Sequence, residues 1–135
     1  MEQLLYYVWK HKIFPLKELR TTTGLPVEVI DTGLQNSNSG PDFFNAKLKI
    51  DGTLWVGNVE VHQSSSDWMR HGHNHDKTYD SVIMHIITHA DCEVHRSTGE
   101  SIPQLQLVCP DHIQANYEQL HRSEVKPYCY SILSG

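Results

Sequence analysis

Hydrophobic positions along this chain follow two periods. Near the start, Leu4, Leu5, Val8 and Trp9 recur at helical spacing and predict a helix over residues 2–14. Pro15 interrupts it, and Leu16 to Arg20 reads as a short second helical piece. From residue 25 the period becomes that of strands. Leu25 to Ile30 places Val27 and Val29 on one side. Residues 42–50 put Asp42, Phe44, Ala46, Leu48 and Ile50 on one face, and residues 54–62 put Leu54, Val56, Asn58, Glu60 and His62 on one face. Trp55, Val59 and Val61 make the other face of that second strand apolar too, which predicts a central strand buried on both sides. Tyr79 opens a further interior run, Val82 to Ile87, which Cys92 to Val94 would extend. Beyond a turn around Gly99 come a strand at Gln104 to Val108 and a helix that starts at Pro110-Asp111 and runs to about Arg122.

The turn between the two long strands decides which side chains meet. A two-residue loop at Asp51-Gly52 pairs Ile50 with Thr53 and sets Asp42 across from Val61. A three-residue loop, Ile50-Asp51-Gly52, pairs Leu48 with Leu54, Ala46 with Val56 and Asp42 with Glu60. The second register is expected, because it joins apolar face to apolar face. Facing carboxylates about 4.5–5.5 Å apart at Cβ repel each other. A hard divalent cation bound through oxygen would remove that repulsion.

A polar segment follows, from Ser64 to Asp80. Ser64 or Ser66 suits an N-cap, Asp67 suits the first turn, and Gly72 and Asn74 predict that the helix ends near Arg70. His71 and Asp76 are expected within reach of Asp42 and Glu60, with His73 and His75 facing solvent. Glu2 and Glu18 read as solvated helix charges, and His85 as a hydrogen-bonded core histidine. Asp31 to Gly40, rich in Asn, Ser and Gly, reads as an irregular loop.

The length of 135 residues predicts a single domain over 1–135, with an α/β (or α+β) architecture around a mixed central sheet. No apolar run reaches the roughly 20 residues of a membrane span. The N-terminus lacks the pattern of a signal peptide, and the three cysteines lack metal-type spacing. A cytoplasmic protein with reduced thiols is therefore expected. The net charge of −5 opposes duplex binding, so a basic groove would have to be local or supplied by a partner.

Pro41-Asp42, a spacer, then Glu60-Val61-His62 resembles the PD-(D/E)XK nuclease signature, with His62 where lysine usually stands. Asp42-Phe43, Val59-Glu60-Val61-His62, Ser66-Asp67-Trp68 and the His-rich segment are also similar to an uncharacterised bacterial family of unknown function with longer chains. The resemblance implies a restriction-endonuclease-like sheet flanked by helices, in the N-terminal part of a longer protein. It implies a nuclease that hydrolyses DNA phosphodiesters with Mg²⁺ or Mn²⁺. Asp42, Glu60 and the carbonyl of Val61 would hold the metal, and His62 would orient or deprotonate the water. Gln63 would be a secondary substrate contact, with Asp67, His71, Asp76 and Tyr79 around the site. DNA and either the remainder of a longer chain or a partner subunit are the expected partners, and no membrane. The alternatives are modules without catalysis: one built on Zn²⁺ or another transition metal at His62, His71, His73, His75 and Asp76, or one that binds protein or nucleic acid and whose polar cluster is merely hydrogen-bonded.

Overall fold

The computed structural model describes residues 2–108 of the chain. It is mixed α+β, with a seven-stranded mixed sheet and few helices. The helix α1 covers Glu2–Lys10, shorter than expected, and buries Leu4, Leu5, Tyr7, Val8 and Trp9. The strands are β1 (Leu19–Arg20), β2 (Pro26–Asp31), β3 (Leu34–Gln35), β4 (Phe43–Ile50), β5 (Thr53–Val61), β6 (Val82–Ile87) and β7 (Gln104–Gln106). The short helix α2 (Asp67–Arg70) and two 3-10 turns, His73–His75 and Lys77–Tyr79, bridge β5 to β6. The sheet order is β1-β2-β4-β5-β6-β7, with β3 paired to β4. Pairings among β1, β2, β4 and β5 are antiparallel, whereas β5–β6 and β6–β7 are parallel. The parallel pairs require crossovers, and the polar segment supplies the first of them.

Several expectations are corrected. The helical piece at Leu16 to Arg20 is absent: Leu19 and Arg20 pair with Val27 and Pro26 as a strand. The loop Asp31 to Gly40 contains β3, which caps the end of β4 at Phe43 and Phe44. Helices flank the sheet only sparsely. Cys92 to Val94 does not extend β6, and the helix expected from Pro110 lies outside the described residues.

The hairpin register differs from the one preferred above. Ile50 pairs with Thr53 across a two-residue turn in which Asp51 and Gly52 both have positive φ, 51° and 81°. These are the torsions of a type I′ turn, which matches the twist of the flanking strands. A bulge between Ala46 and Phe43 then shifts the register, so that Phe43 pairs with Val59. Asn45 takes φ 59° there, and Asn58 Oδ1 accepts its amide proton at 3.2 Å. The bulge brings Asp42 opposite Glu60, the outcome expected from a different turn.

β5 is central only along part of its length. Its pairing with β6 begins at Asn58, so residues 53–57 have a neighbour on one side alone. Leu54, Trp55 and Val56 are about half exposed, at 55%, 47% and 56%, rather than buried. Val59, Glu60 and Val61 are buried. The main core joins Leu5, Val8 and Trp9 of α1 to Phe43, Leu48, Val59, Val61, Met84 and Ile86 of the sheet. A second cluster, Trp68, Val82, Val94 and Ile102, holds the crossover against the other face.

Candidate metal centre

The site forms where the ends of β4 and β5, the helix α1 and the crossover meet. Asp42 and Glu60 interlock through backbone groups. The Asp42 amide donates to Glu60 Oε1 at 3.1 Å, and the Val61 amide donates to Asp42 Oδ2 at 2.8 Å. From α1, the Tyr6 hydroxyl lies 2.9 Å from Asp42 Oδ1 and 3.1 Å from Glu2 Oε1. One phenolic proton serves only one of them at a time. Burial pushes the Asp42 carboxyl up to about 7, with the neighbouring Glu60 adding to the rise. Burial likewise lifts Glu60 to about 7 and raises Glu2. Desolvation disfavours the charged form, so near neutrality a metal-free site still holds protons on Asp42 and Glu60.

Glu60 turns its second oxygen toward histidines. Glu60 Oε2 is 2.9 Å from His73 Nε2 and 3.3 Å from His62 Nε2. The contact with His62 is not an ion pair. Burial, with His85, His73 and His71 nearby, pushes His62 down to about 2, so its ring is neutral. One nitrogen each from His62, His71 and His73 lie within 4.8 Å of one another. His62 and His73 are buried, while His71 is exposed and opens the cluster to solvent.

Local chemistry explains why His73 is buried and not solvated as expected. Helix α2 ends at Arg70, and Gly72 takes φ 74°, which reverses the chain and sends His73 back toward the sheet. The His73 ring then stacks on Tyr79 at 3.6 Å between centroids and meets Trp68 edge-on at 5.2 Å. Its Nδ1 has no hydrogen-bond partner among the described residues. His75 faces solvent, as expected.

Behind His62 runs a buried chain of polar groups. His62 Nδ1 lies 2.8 Å from His85 Nε2, and His85 Nδ1 lies 2.9 Å from Gln104 Oε1. Gln104 Nε2 donates to the Cys92 carbonyl at 2.9 Å. His85 is indeed a hydrogen-bonded core histidine, pushed down to about 4 by burial.

The remaining sequence candidates sit around this cluster. Asp67 accepts from the Ser64 amide at 3.1 Å and pairs with Arg70 at 3.0 Å, which makes it a cap for the crossover. Asp76 is exposed and caps the 3-10 turn through Thr78, although its charge reaches His73. Gln63 is exposed, and its carbonyl accepts from Thr88 and His89. Val61 enters through its amide on Asp42. Sequence reading undervalued Glu2 and passed over Tyr6, Gln104 and the link from His85 to His62. The i, i+4 spacing of Glu2 and Tyr6 beside the buried stripe of α1 was the available signal for the first two.

Fold and site together describe a mixed α+β protein whose sheet buries a cluster of histidines and carboxylates. Over residues 2–134 the chain matches the model of the family described as "Protein of unknown function (DUF2851)", and it belongs to that family. No curated protein and no solved structure gives a significant match. Among the described residues, no helix is long and apolar enough to cross a membrane.

Proposed function

We propose that this protein is a metal-dependent phosphodiesterase acting on DNA, with Zn²⁺ or Mn²⁺ held by Glu60, His62 and His73, and by His71 from the solvent side. The observation that carries the metal reading is Glu60 Oε2, which meets two imidazole nitrogens at 2.9 and 3.3 Å. Ligand atoms of a tetrahedral site with bonds near 2.0–2.1 Å lie about 3.3 Å apart, so this spacing suits such an ion. A donor set of three nitrogens and one oxygen favours a borderline transition ion over Mg²⁺, which prefers oxygen.

The phosphodiester half rests on the PD-(D/E)XK resemblance. The order of α1, β2, β4, β5, crossover and β6 is the order it implies, and Asp42 and Glu60 lie on adjoining chain segments. A bound ion would lower the pKa of a coordinated water and offset charge on the phosphoryl group. The chain's own residues would orient and move protons. Asp42, whose buried carboxyl adjoins Glu60, is placed to take up or release a proton beside the ion. Tyr6 fixes Asp42 Oδ1, and exposed His71 marks the side from which substrate arrives.

The test is plasmid cleavage by metal-stripped protein resupplied with Mn²⁺, Zn²⁺ or Mg²⁺. Cleavage with Mn²⁺ or Zn²⁺, abolished in Glu60→Gln, is the expected result. Tight metal binding without cleavage under any ion would favour the second reading, a non-catalytic metal module. Four protein donors can close a tetrahedral site, and the net charge of −5 disfavours duplex binding.

A further inference from the structure

The chain of polar groups behind His62 has a definite direction. Gln104 sets it. Its amide must turn Nε2 toward the Cys92 carbonyl, because the opposite orientation would place two acceptor oxygens 2.9 Å apart. Gln104 Oε1 therefore faces His85 Nδ1 and can only accept, which places a proton on His85 Nδ1. A neutral His85 then has a bare lone pair on Nε2. That lone pair faces His62 Nδ1 at 2.8 Å and calls for a proton there. A neutral His62 is left with a bare lone pair on Nε2, which faces Glu60 Oε2 at 3.3 Å, so in the metal-free protein the proton of that contact sits on the Glu60 carboxyl. Both rings are almost fully buried, at 1% and 0% exposure, so solvent cannot supply alternative partners.

We infer that Gln104 and His85 are positioning residues that fix the Nδ1–H tautomer of His62 and present its Nε2 lone pair to a divalent transition metal. This rests on the metal reading proposed above. The relay spans three neighbouring parallel strands, from β7 through β6 to the end of β5. It explains why a strand of three residues, last in the sheet order, carries a buried glutamine. Partners behind a ligating imidazole commonly set its tautomer and basicity, and their removal typically weakens metal binding about 10–100-fold. Among the described residues, His73 has no comparable support on its Nδ1, so of the two buried rings His62 is the preorganised one.

The experiment is long-range ¹H–¹⁵N correlation NMR of the histidine rings in the metal-free full chain near pH 7.5, followed by Zn²⁺ and Mn²⁺ titration. Wild type should show His62 protonated on Nδ1 alone. Gln104→Met removes the terminal acceptor at similar volume, and should mix the His62 tautomers and weaken metal binding about 10–100-fold. Gln104→Glu restores the acceptor toward His85 when its other oxygen keeps a proton for the Cys92 carbonyl, and should return the Nδ1–H form and part of the affinity. A loss due only to damaged packing would not be rescued this way. Should Gln104→Met fail to fold, the wild-type spectrum and Gln104→Glu still decide. A wild-type His62 protonated on Nε2, or a folded Gln104→Met with unchanged tautomer and affinity, overturns the relay. A wild type with the Nδ1–H form but no metal binding overturns the metal reading instead, and with it the purpose assigned to the relay.

Discussion

Asp42 and Glu60 each hold the backbone of the other's strand. The amide of Asp42 donates to the Glu60 carboxyl, and the amide just after Glu60 donates to the Asp42 carboxyl. Like charges are thus held together by main-chain donors, at the cost of raised pKa values. Asp42→Asn removes a charge that burial opposes while keeping one acceptor oxygen. The metal-free variant should melt a few degrees higher than wild type at pH 8, with a smaller gain at pH 5, where the unfolded carboxyl has lost its proton but the native one has not. Equal destabilisation at both values, seen by circular dichroism, would contradict this.

The same shifts set a pH profile for the metal-free protein. Asp42 and Glu60 rise to about 7 on folding, so the native state keeps protons that the unfolded chain has released. Their contribution is lost as pH rises toward and through about 7. His62 and His85 fall to about 2 and about 4, so the native state refuses protons that the unfolded chain takes up below its ordinary 6.5. Their contribution is lost as pH falls below about 6.5. The two effects oppose each other between about 4.5 and 6.5, so the melting temperature should peak at roughly pH 5–6.5 and decline on both sides. A saturating divalent transition metal should erase the alkaline decline, since it binds the deprotonated site. A melting temperature that climbs steadily to pH 8 in the presence of chelator would contradict the assignment.

The bulge at Asn45 is a stability determinant with a functional consequence. A β-branched residue at its φ of 59° is strained, so Asn45→Val should cost about 1–2 kcal/mol in urea unfolding. Metal affinity should fall as well, because the bulge sets the register that brings Asp42 to Glu60. A variant as stable as wild type would show that the bulge is not under strain.

Gly57 marks the close approach of β5 to the start of β6. A Cβ there would stand 2.5 Å from Ile83 Cγ2 and 2.9 Å from the Ser81 carbonyl oxygen. Gly57→Ala should therefore destabilise by about 1–3 kcal/mol through overpacking. No loss of stability would place the crossover farther from β5 than described.

Much of the sheet was legible from period alone. β4, β6 and β7 fall within the expected runs and β2 and β5 overrun theirs by one residue, whereas Asp42 meets Glu60 through a bulge and not through the expected pairing of Leu48 with Leu54. What was not legible depended on single torsions and on distant contacts. The type I′ turn and the bulge at Asn45 offset one another, so a mistaken turn led to the right pairing. Burial of Leu54, Trp55 and Val56 was expected because alternation reveals a strand's faces but not where its neighbour begins. His73 looked solvated within a polar run, but the left-handed Gly72 turns it inward. Tyr6 lies 36 residues from Asp42 in sequence, and Gln104 lies 19 from His85, spans that no local pattern encodes.

Zinc-edge X-ray absorption on the full chain, loaded with one equivalent of Zn²⁺ and dialysed, tests the metal centre most directly. The account predicts one retained ion with four protein nitrogen or oxygen neighbours at about 2.0–2.1 Å, joined by a fifth, the water that the phosphodiesterase reading requires. The imidazole outer-shell scattering should come from about three histidines and weaken in His73→Phe. Loss of the ion on dialysis, or a sulfur shell near 2.3 Å that points to a cysteine site, would contradict it.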